Sequence, residues 1–380
     1  MKSSWSPDEF LRLARDAGTF PDVVRSALHY ARQIQECNPN LPVIFTLAHL
    51  AELTRVPLWR LDEYICRRDD PYRVFLLKRK TRGGSGPSRR PRTICVPEPF
   101  LMRAQKWIAQ TILSNCDVHE ASRAYAPGNN IFHAARPHCG CRWLLKMDVL
   151  NFFESISEVR VYKVFEGLGY PPLLCFQLAR ICTRVFCEST SERHAPSTNQ
   201  GEPSDVPVEF GVLPQGAPTS PMLANLCVSD LDGKLTRLVQ KSDWTYTRYA
   251  DDLSFSTRQR CDRGDALRLV TSIRDEIWQC GLRPNEQKTS LTPPGSRKIV
   301  LGLLVDTERP RLSKKFRNNL ETHIYALTSP KIGFEAHMGK RGFNSRSSMI
   351  RHILGLLAHA RSIDPYYADG LYSKLLREAR

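Results

Sequence analysis

Apolar residues recur at three- and four-residue spacing through the start of the chain, in Phe10, Leu11, Leu13 and Ala14 and again in Phe45, Leu47, Leu50 and Leu53, so residues 6–67 read as helical. Within them LAHLAELTRVPLWRLDEYI breaks at Thr54 to Pro57 into two short helices around a turn. This is helix-turn-helix spacing, but such pairs are too common to indicate DNA reading alone. The period then changes. YRVFLLKRK and RTICVPEP flank GGSGPSRRP, which predicts two strands and a glycine-rich turn in a basic hairpin. Residues 100–115, FLMRAQKWIAQTILSN, return to an amphipathic helical pattern. WLLKMDV at 143–149 is an apolar run interrupted by Lys146, the profile of a buried strand whose C-terminal end delivers Asp148 to a cleft. A helix carrying Val161, Val164, Phe165 and Leu168 follows. Residues 188–210 are poor in large apolar side chains and rich in Ser, Pro and Glu, and read as a surface insertion. TYTRYADDLSFST sets β-branched and aromatic residues on both sides of two aspartates, a hairpin with the acids at its bend. From about residue 312 the chain is helical again, with GFNSRSS as its clearest break.

Composition narrows the class. With 41% hydrophobic and 25% charged residues over 380 positions, the chain has the balance of a globular protein with a substantial core. No stretch approaches the roughly 20 uncharged apolar residues of a membrane span. The N-terminal MKSSWSPDEFLRLARDAG carries charge where a secretory signal needs an apolar core, and the twelve cysteines form no CxxC pair. A cytoplasmic protein with reduced thiols is expected. The net charge of +16 is localised. Residues 78–106 hold nine basic residues against one acidic, and residues 311–380 hold thirteen against five, so each segment carries +8 and the rest sums to zero. Two such basic segments predict a polyanionic partner, nucleic acid above all, and an acidic membrane surface is disfavoured because neither an amphipathic basic helix nor a lipidation signal is present.

Three acids stand out by their surroundings: Asp148 at the end of a buried strand, and Asp251 and Asp252 at a hairpin tip. Clustered carboxylates repel one another unless a cation sits among them, and oxygen-only ligands favour a hard divalent ion such as magnesium. Two such ions about 4 Å apart can activate a hydroxyl nucleophile and stabilise a pyrophosphate leaving group.

The lettering around these acids sharpens the reading. KMDVLNFF at 146–153, LPQGAPTSP at 213–221 and YADD at 249–252 resemble, in order and spacing, the reverse transcriptase family. The resemblance implies an α+β right-hand polymerase fold of fingers, palm and thumb, with Asp148, Asp251 and Asp252 holding two magnesium ions and deoxynucleoside triphosphates as substrates. By the same resemblance Phe153 excludes a ribose 2'-hydroxyl, Gln215 and Gly216 lie against the incoming nucleotide and template, Arg92 clamps the triphosphate with Arg90 beside it, and Lys288 protonates the pyrophosphate. The implied division is a helical region at 1–67, fingers at 68–140, palm at 141–311 and a basic helical thumb at 312–380.

Within that family, YADDLSFS, FLMRAQKWI, DPYRVFLLKRK and GLLAHARSIDPYY resemble the bacterial retron type. That type implies a cognate structured noncoding RNA, priming from a 2'-hydroxyl of an internal guanosine, a branched RNA–DNA product called msDNA, and an effector protein in antiphage defence. RNA contacts are expected at Arg90, His138, Lys314, Lys315, Arg317, Arg346 and Arg351, with Tyr325, Phe343 and Tyr366 as candidate stacking residues. Two departures fall in blocks linked to RNA recognition: AARPH at 134–138 keeps His138 but has Ala134 where retron enzymes carry asparagine, and 300–302 reads VLG where they carry VTG. Three alternatives stand beside this reading: a group II intron or diversity-generating reverse transcriptase, an RNA-binding scaffold with a silent site, and a viral RNA polymerase, the last disfavoured by the bulk of Phe153.

Overall fold

A computed structural model describes residues 5–77, 92–126, 128–185, 210–329 and 332–378. The chain forms two compact units, each assembled from several segments. The first takes residues 1–126, 149–233 and 280–283, and the second residues 127–148, 234–279 and 284–380. Each unit therefore draws on more than one of the regions expected from sequence.

In the first unit the helical N-terminal region is four helices, Pro7–Asp16, Pro21–Cys37, Leu47–Thr54 and Leu58–Cys66. Ser6 and Thr46 cap two of them by accepting from the backbone N–H three residues on. The break expected at Thr54 to Pro57 is present: Arg55 turns left-handed (φ 54°), and the next helix starts after Pro57. Strands β1 (Tyr72–Leu77) and β2 (Arg92–Pro97) form the expected antiparallel hairpin, in register from Tyr72 opposite Pro97 to Leu77 opposite Arg92. Its glycine-rich turn lies outside the described residues, as does nearly all of the 188–210 insertion. The helix expected over 100–115 is shorter than its pattern: Pro99–Trp107 is α-helical, Ile108–Ile112 widens into a π turn, and Leu113–Asn115 ends as a 3-10 turn. Ile34, Ile44, Leu50, Leu61, Leu101, Ile112 and Phe165 make the buried core of this unit.

The second unit is built on a four-stranded antiparallel sheet. Strand β3 (Trp143–Asp148) lies between β5 (Asp252–Thr257) and the short β6 (Ser290–Thr292), and β4 (Thr245–Tyr249) pairs with the far edge of β5. The run WLLKMD is buried at every position but Lys146, as expected of a strand covered on both faces. A small sheet of β7 (Ile299–Val300), β8 (Leu303–Leu304) and β9 (Arg311–Leu312) precedes four helices, Lys314–Thr328, Phe334–Arg341, Arg346–Arg361 and Pro365–Glu378. Leu303, Val305, Leu312, Leu320, Ile324, Ile353 and Leu357 pack together beneath those helices, with Cys139 and Cys141 buried in the same cluster as small apolar residues. The GFNSRSS break falls between the second and third helices, where Gly342 is left-handed at φ 70° and Ser345 caps the third. Among the described residues no helix is long and apolar enough to cross a membrane.

Candidate active site

Strand pairing brings the three aspartates together at one end of the four-stranded sheet. Asp148 is the last residue of β3 and stands directly opposite Asp252, the first residue of β5. Tyr249 pairs with Asp252, so β4 and β5 are joined by a two-residue turn of Ala250 and Asp251. Ala250 holds φ 57°, a left-handed conformation that costs a non-glycine residue about 1 kcal/mol. Beneath the turn Arg248 is fully buried, and its Nη1 donates to the Ala250 carbonyl at 3.3 Å. A guanidinium thus grips the strained residue that sets Asp251 at the tip.

The electrostatics are those of crowded acids. Burial, then the negative charges of Asp148 and Asp252, push the Asp251 carboxyl above its usual range. Asp148 is buried, and both of its oxygens are engaged: Lys288 Nζ donates to Oδ2 at 2.6 Å and Asn285 Nδ2 to Oδ1 at 3.0 Å. Lys288, expected as a proton donor, is therefore held at the acid cluster. An oxygen-only donor set under mutual repulsion fits a hard divalent ion. Among the described residues no three acidic, imidazole or thiol groups are gathered tightly enough to hold an ion as they stand, and the Lys288 ammonium supplies the positive charge at Asp148.

In the first unit the strand that carries Arg92 is tied to the loop that carries Gln215 and Gly216. The backbone N–H of Cys95, in the strand that begins with Arg92, donates to the carbonyl of Gln215 at 2.8 Å. Gly216 follows at φ 113°, where a Cβ would stand 2.9 Å from the Cys95 carbonyl oxygen and 3.0 Å from Ile94 Cγ2. Glycine is thus required here by the neighbouring strand, whatever occupies the other side. The stretch leading into this loop is anchored by Glu158, which accepts from Gly211 N at 3.1 Å and pairs with Arg67, and by paired backbone bonds between Arg184 and Val212. Phe153 is half-buried in the turn after β3, its ring 5.5 Å from that of Phe152, and Arg92 is exposed. Arg90 lies outside the described residues.

The expected RNA contacts divide. Lys314, Lys315 and Arg351 are exposed. Arg317 is bound to Asp364 at 3.0 Å and stacks over Tyr367, and Arg346 donates to Glu335 at 2.6 Å and lies over Phe334. Tyr325 and Tyr366 are exposed, whereas Phe343 packs against the helical core. His138 requires a correction. It is fully buried, with Nδ1 2.7 Å from Ser256 Oγ and Nε2 2.7 Å from Thr247 Oγ1, and burial pushes it down to about 3. A neutral imidazole buried against β4 and β5 has no surface to offer RNA. Asn285 and Arg248 were not anticipated. Their only trace in the sequence is position: Asn285 stands three residues before Lys288, and Arg248 is the one charged residue in the TYTRY strand.

Comparison with known proteins decides the family. The family model described as reverse transcriptase (RNA-dependent DNA polymerase) matches residues 78–308, well over half of the chain. The chain belongs to the reverse transcriptase family. The enzyme therefore has the α+β right-hand polymerase fold expected from its motifs. It is 29% identical to "Retron Ec86 reverse transcriptase" of Escherichia coli over 331 residues, covering 86% of this chain and 87% of that protein. It is 32% identical to "Retron Mx65 reverse transcriptase" of Myxococcus xanthus over 281 residues, covering 74% of this chain and 60% of that protein. "Retron Ec83 reverse transcriptase" of Escherichia coli matches at 25% over 306 residues, 80% of this chain and 86% of that protein. Enzymes of this family generally use divalent metal ions and deoxynucleoside triphosphates.

Proposed function

We propose that this reverse transcriptase binds a cognate structured noncoding RNA in the cytoplasm, primes DNA synthesis from a 2'-hydroxyl of that RNA, and leaves a branched RNA–DNA product, working beside an effector protein in antiphage defence. The observation that carries the catalytic part is the convergence of Asp148, Asp251 and Asp252 at one sheet end, with Asp148 opposite Asp252 in register. The retron relatives support the RNA-primed part.

The three aspartates and Lys288 divide the work by charge. Asp148, Asp251 and Asp252 are the groups that would hold two magnesium ions, which supply Lewis-acid stabilisation of the phosphoryl oxygens and lower the proton affinity of the attacking hydroxyl. The strained Ala250 turn holds the Asp251 carboxyl in place. Lys288 brings an ammonium to the same carboxylates at 2.6 Å from Asp148, a donor from which the departing pyrophosphate takes a proton. Arg92, Gln215, Gly216 and Phe153 act on the nucleotide: a guanidinium fork for phosphate oxygens, a loop backbone fixed against β2, and an aromatic whose bulk refuses a 2'-hydroxyl. The exposed Lys314, Lys315 and Arg351 offer phosphate contacts, which predicts RNA binding that weakens steeply with salt.

The test is to express the gene with its flanking DNA and isolate the nucleic acid that co-purifies. The sample is resolved on a denaturing gel before and after ribonuclease and debranching treatment, beside Asp251→Asn. A short DNA that shifts on debranching and vanishes in the variant supports the proposal. Linear DNA in its place removes 2'-hydroxyl priming and leaves another reverse transcriptase class, and RNA alone leaves a binding scaffold.

A further inference from the structure

Two residues of one short turn, reached 137 and 140 positions after Asp148, divide its carboxylate between them. They are unlike partners. Lys288 is a long side chain, 38% exposed, whose ammonium holds Oδ2 at the end of a flexible stem. Asn285 is short and doubly tied: its Nδ2 donates to Oδ1 at 3.0 Å, while its backbone N–H donates to the Asp148 carbonyl at 2.7 Å. Its own carbonyl accepts from Lys288 N at 3.0 Å and from Thr289 N and Oγ1 at 3.1 Å each, so its backbone is fixed at the start of the 3-10 turn Glu286–Lys288, and only two short side-chain torsions separate that anchor from the amide.

A cation competes with an ammonium for a carboxylate oxygen, whereas a neutral amide fixed at its backbone remains. We propose that Asn285 is a positioning residue for catalysis: by holding Oδ1 it locks the orientation of the Asp148 carboxylate and leaves Oδ2 as the oxygen open to exchange between Lys288 and a divalent ion. Residues that orient a metal-ligating carboxylate typically carry 10–100-fold in metal affinity or activity. This rests on the reading of Asp148 as a metal-holding aspartate.

The test uses the full chain with Asn285→Ala, Asn285→Asp and Asp148→Asn. Asn285→Asp keeps the shape and the backbone bonds but replaces the donor with a carboxylate facing Oδ1. Primer extension gives kcat and the nucleotide KM, electron paramagnetic resonance gives manganese binding without nucleotide, and urea unfolding gives the midpoint. In Asn285→Ala, kcat is expected to fall 10–100-fold with KM within twofold and the manganese Kd raised at least fivefold. Asn285→Asp is expected to lose kcat at least as far, with an unfolding midpoint no lower than that of Asn285→Ala once manganese is bound between the two carboxylates. Parent-like kcat in Asn285→Asp, or an unchanged manganese Kd in Asn285→Ala, overturns the proposal, because shape or stability would then account for the residue. Synthesis retained by Asp148→Asn would instead overturn the assignment of the acid cluster itself.

Discussion

Replacing His138 with glutamine tests how the hairpin bearing Asp251 and Asp252 is fastened. The imidazole is fully buried and bridges Thr247 of β4 to Ser256 of β5 at 2.7 Å on each side. Thr247 Oγ1 gives its proton to the Ala134 carbonyl at 3.3 Å, so Nε2–H donates to Thr247 and Nδ1 accepts from Ser256. The neutral ring satisfies that network, and burial lowers its proton affinity from the ordinary 6.5 to about 3. The sign follows. Between those values the unfolded chain binds a proton that the folded chain refuses, so the contribution is complete above pH 6.5 and drains away as pH falls toward 3. At pH 5, 1.5 units below the unfolded value at 1.36 kcal/mol per unit, the loss is about 2 kcal/mol. His138→Gln forfeits ring packing and a bond, about 2 kcal/mol at pH 7, but has no proton to gain. Urea unfolding of both proteins at pH 7, 6 and 5 should show the gap close from about 2 kcal/mol to near zero. His323 and His337, also lowered by burial, act equally in both proteins and cancel. Parallel pH profiles for the two proteins would refute a buried neutral His138.

The remaining predictions concern the turn, the loop and the acids. Asp251→Asn should reduce DNA synthesis at least a thousandfold while RNA binding, measured by filter retention, stays within twofold; residual synthesis near the parent rate would remove Asp251 from the reaction. Gly216→Ala drives a Cβ to 2.9 Å from the Cys95 carbonyl at φ 113°, costing about 2 kcal/mol in urea unfolding and raising the nucleotide KM several-fold, and an unchanged midpoint would contradict it. Arg248→Met leaves the Ala250 carbonyl without its guanidinium donor, a loss of about 1–3 kcal/mol, with kcat falling further than KM rises because the turn presenting Asp251 loosens.

Some of this was readable in the linear chain. Period and turn chemistry act over a few residues, so the strand ending at Asp148, the hairpin bending at Ala250 and Asp251, the two helices parted at Arg55 and the break at Gly342 all follow from local spacing. The three motif blocks carried the family, because each is a specific run of residues and the three stand in the family's order and spacing. Local pattern was silent or misleading elsewhere. It read residues 100–115 as one amphipathic helix, where Ile108–Ile112 widens into a π turn. It offered His138 to RNA, although strand packing buries it between two hydroxyls.

Which distant residues share a carboxylate is settled only when the chain folds. That Asp148, Asp251 and Asp252 sit at strand ends follows already from the letters, since alternation and turn residues are local properties. The letters could not show that Asp148 stands opposite Asp252, that Arg248 is buried beneath the turn, or that Asn285 reaches back across 137 residues to Asp148. Those facts depend on register between strands far apart in the chain, and register is chosen by the burial of whole sheet faces rather than by any short run of letters.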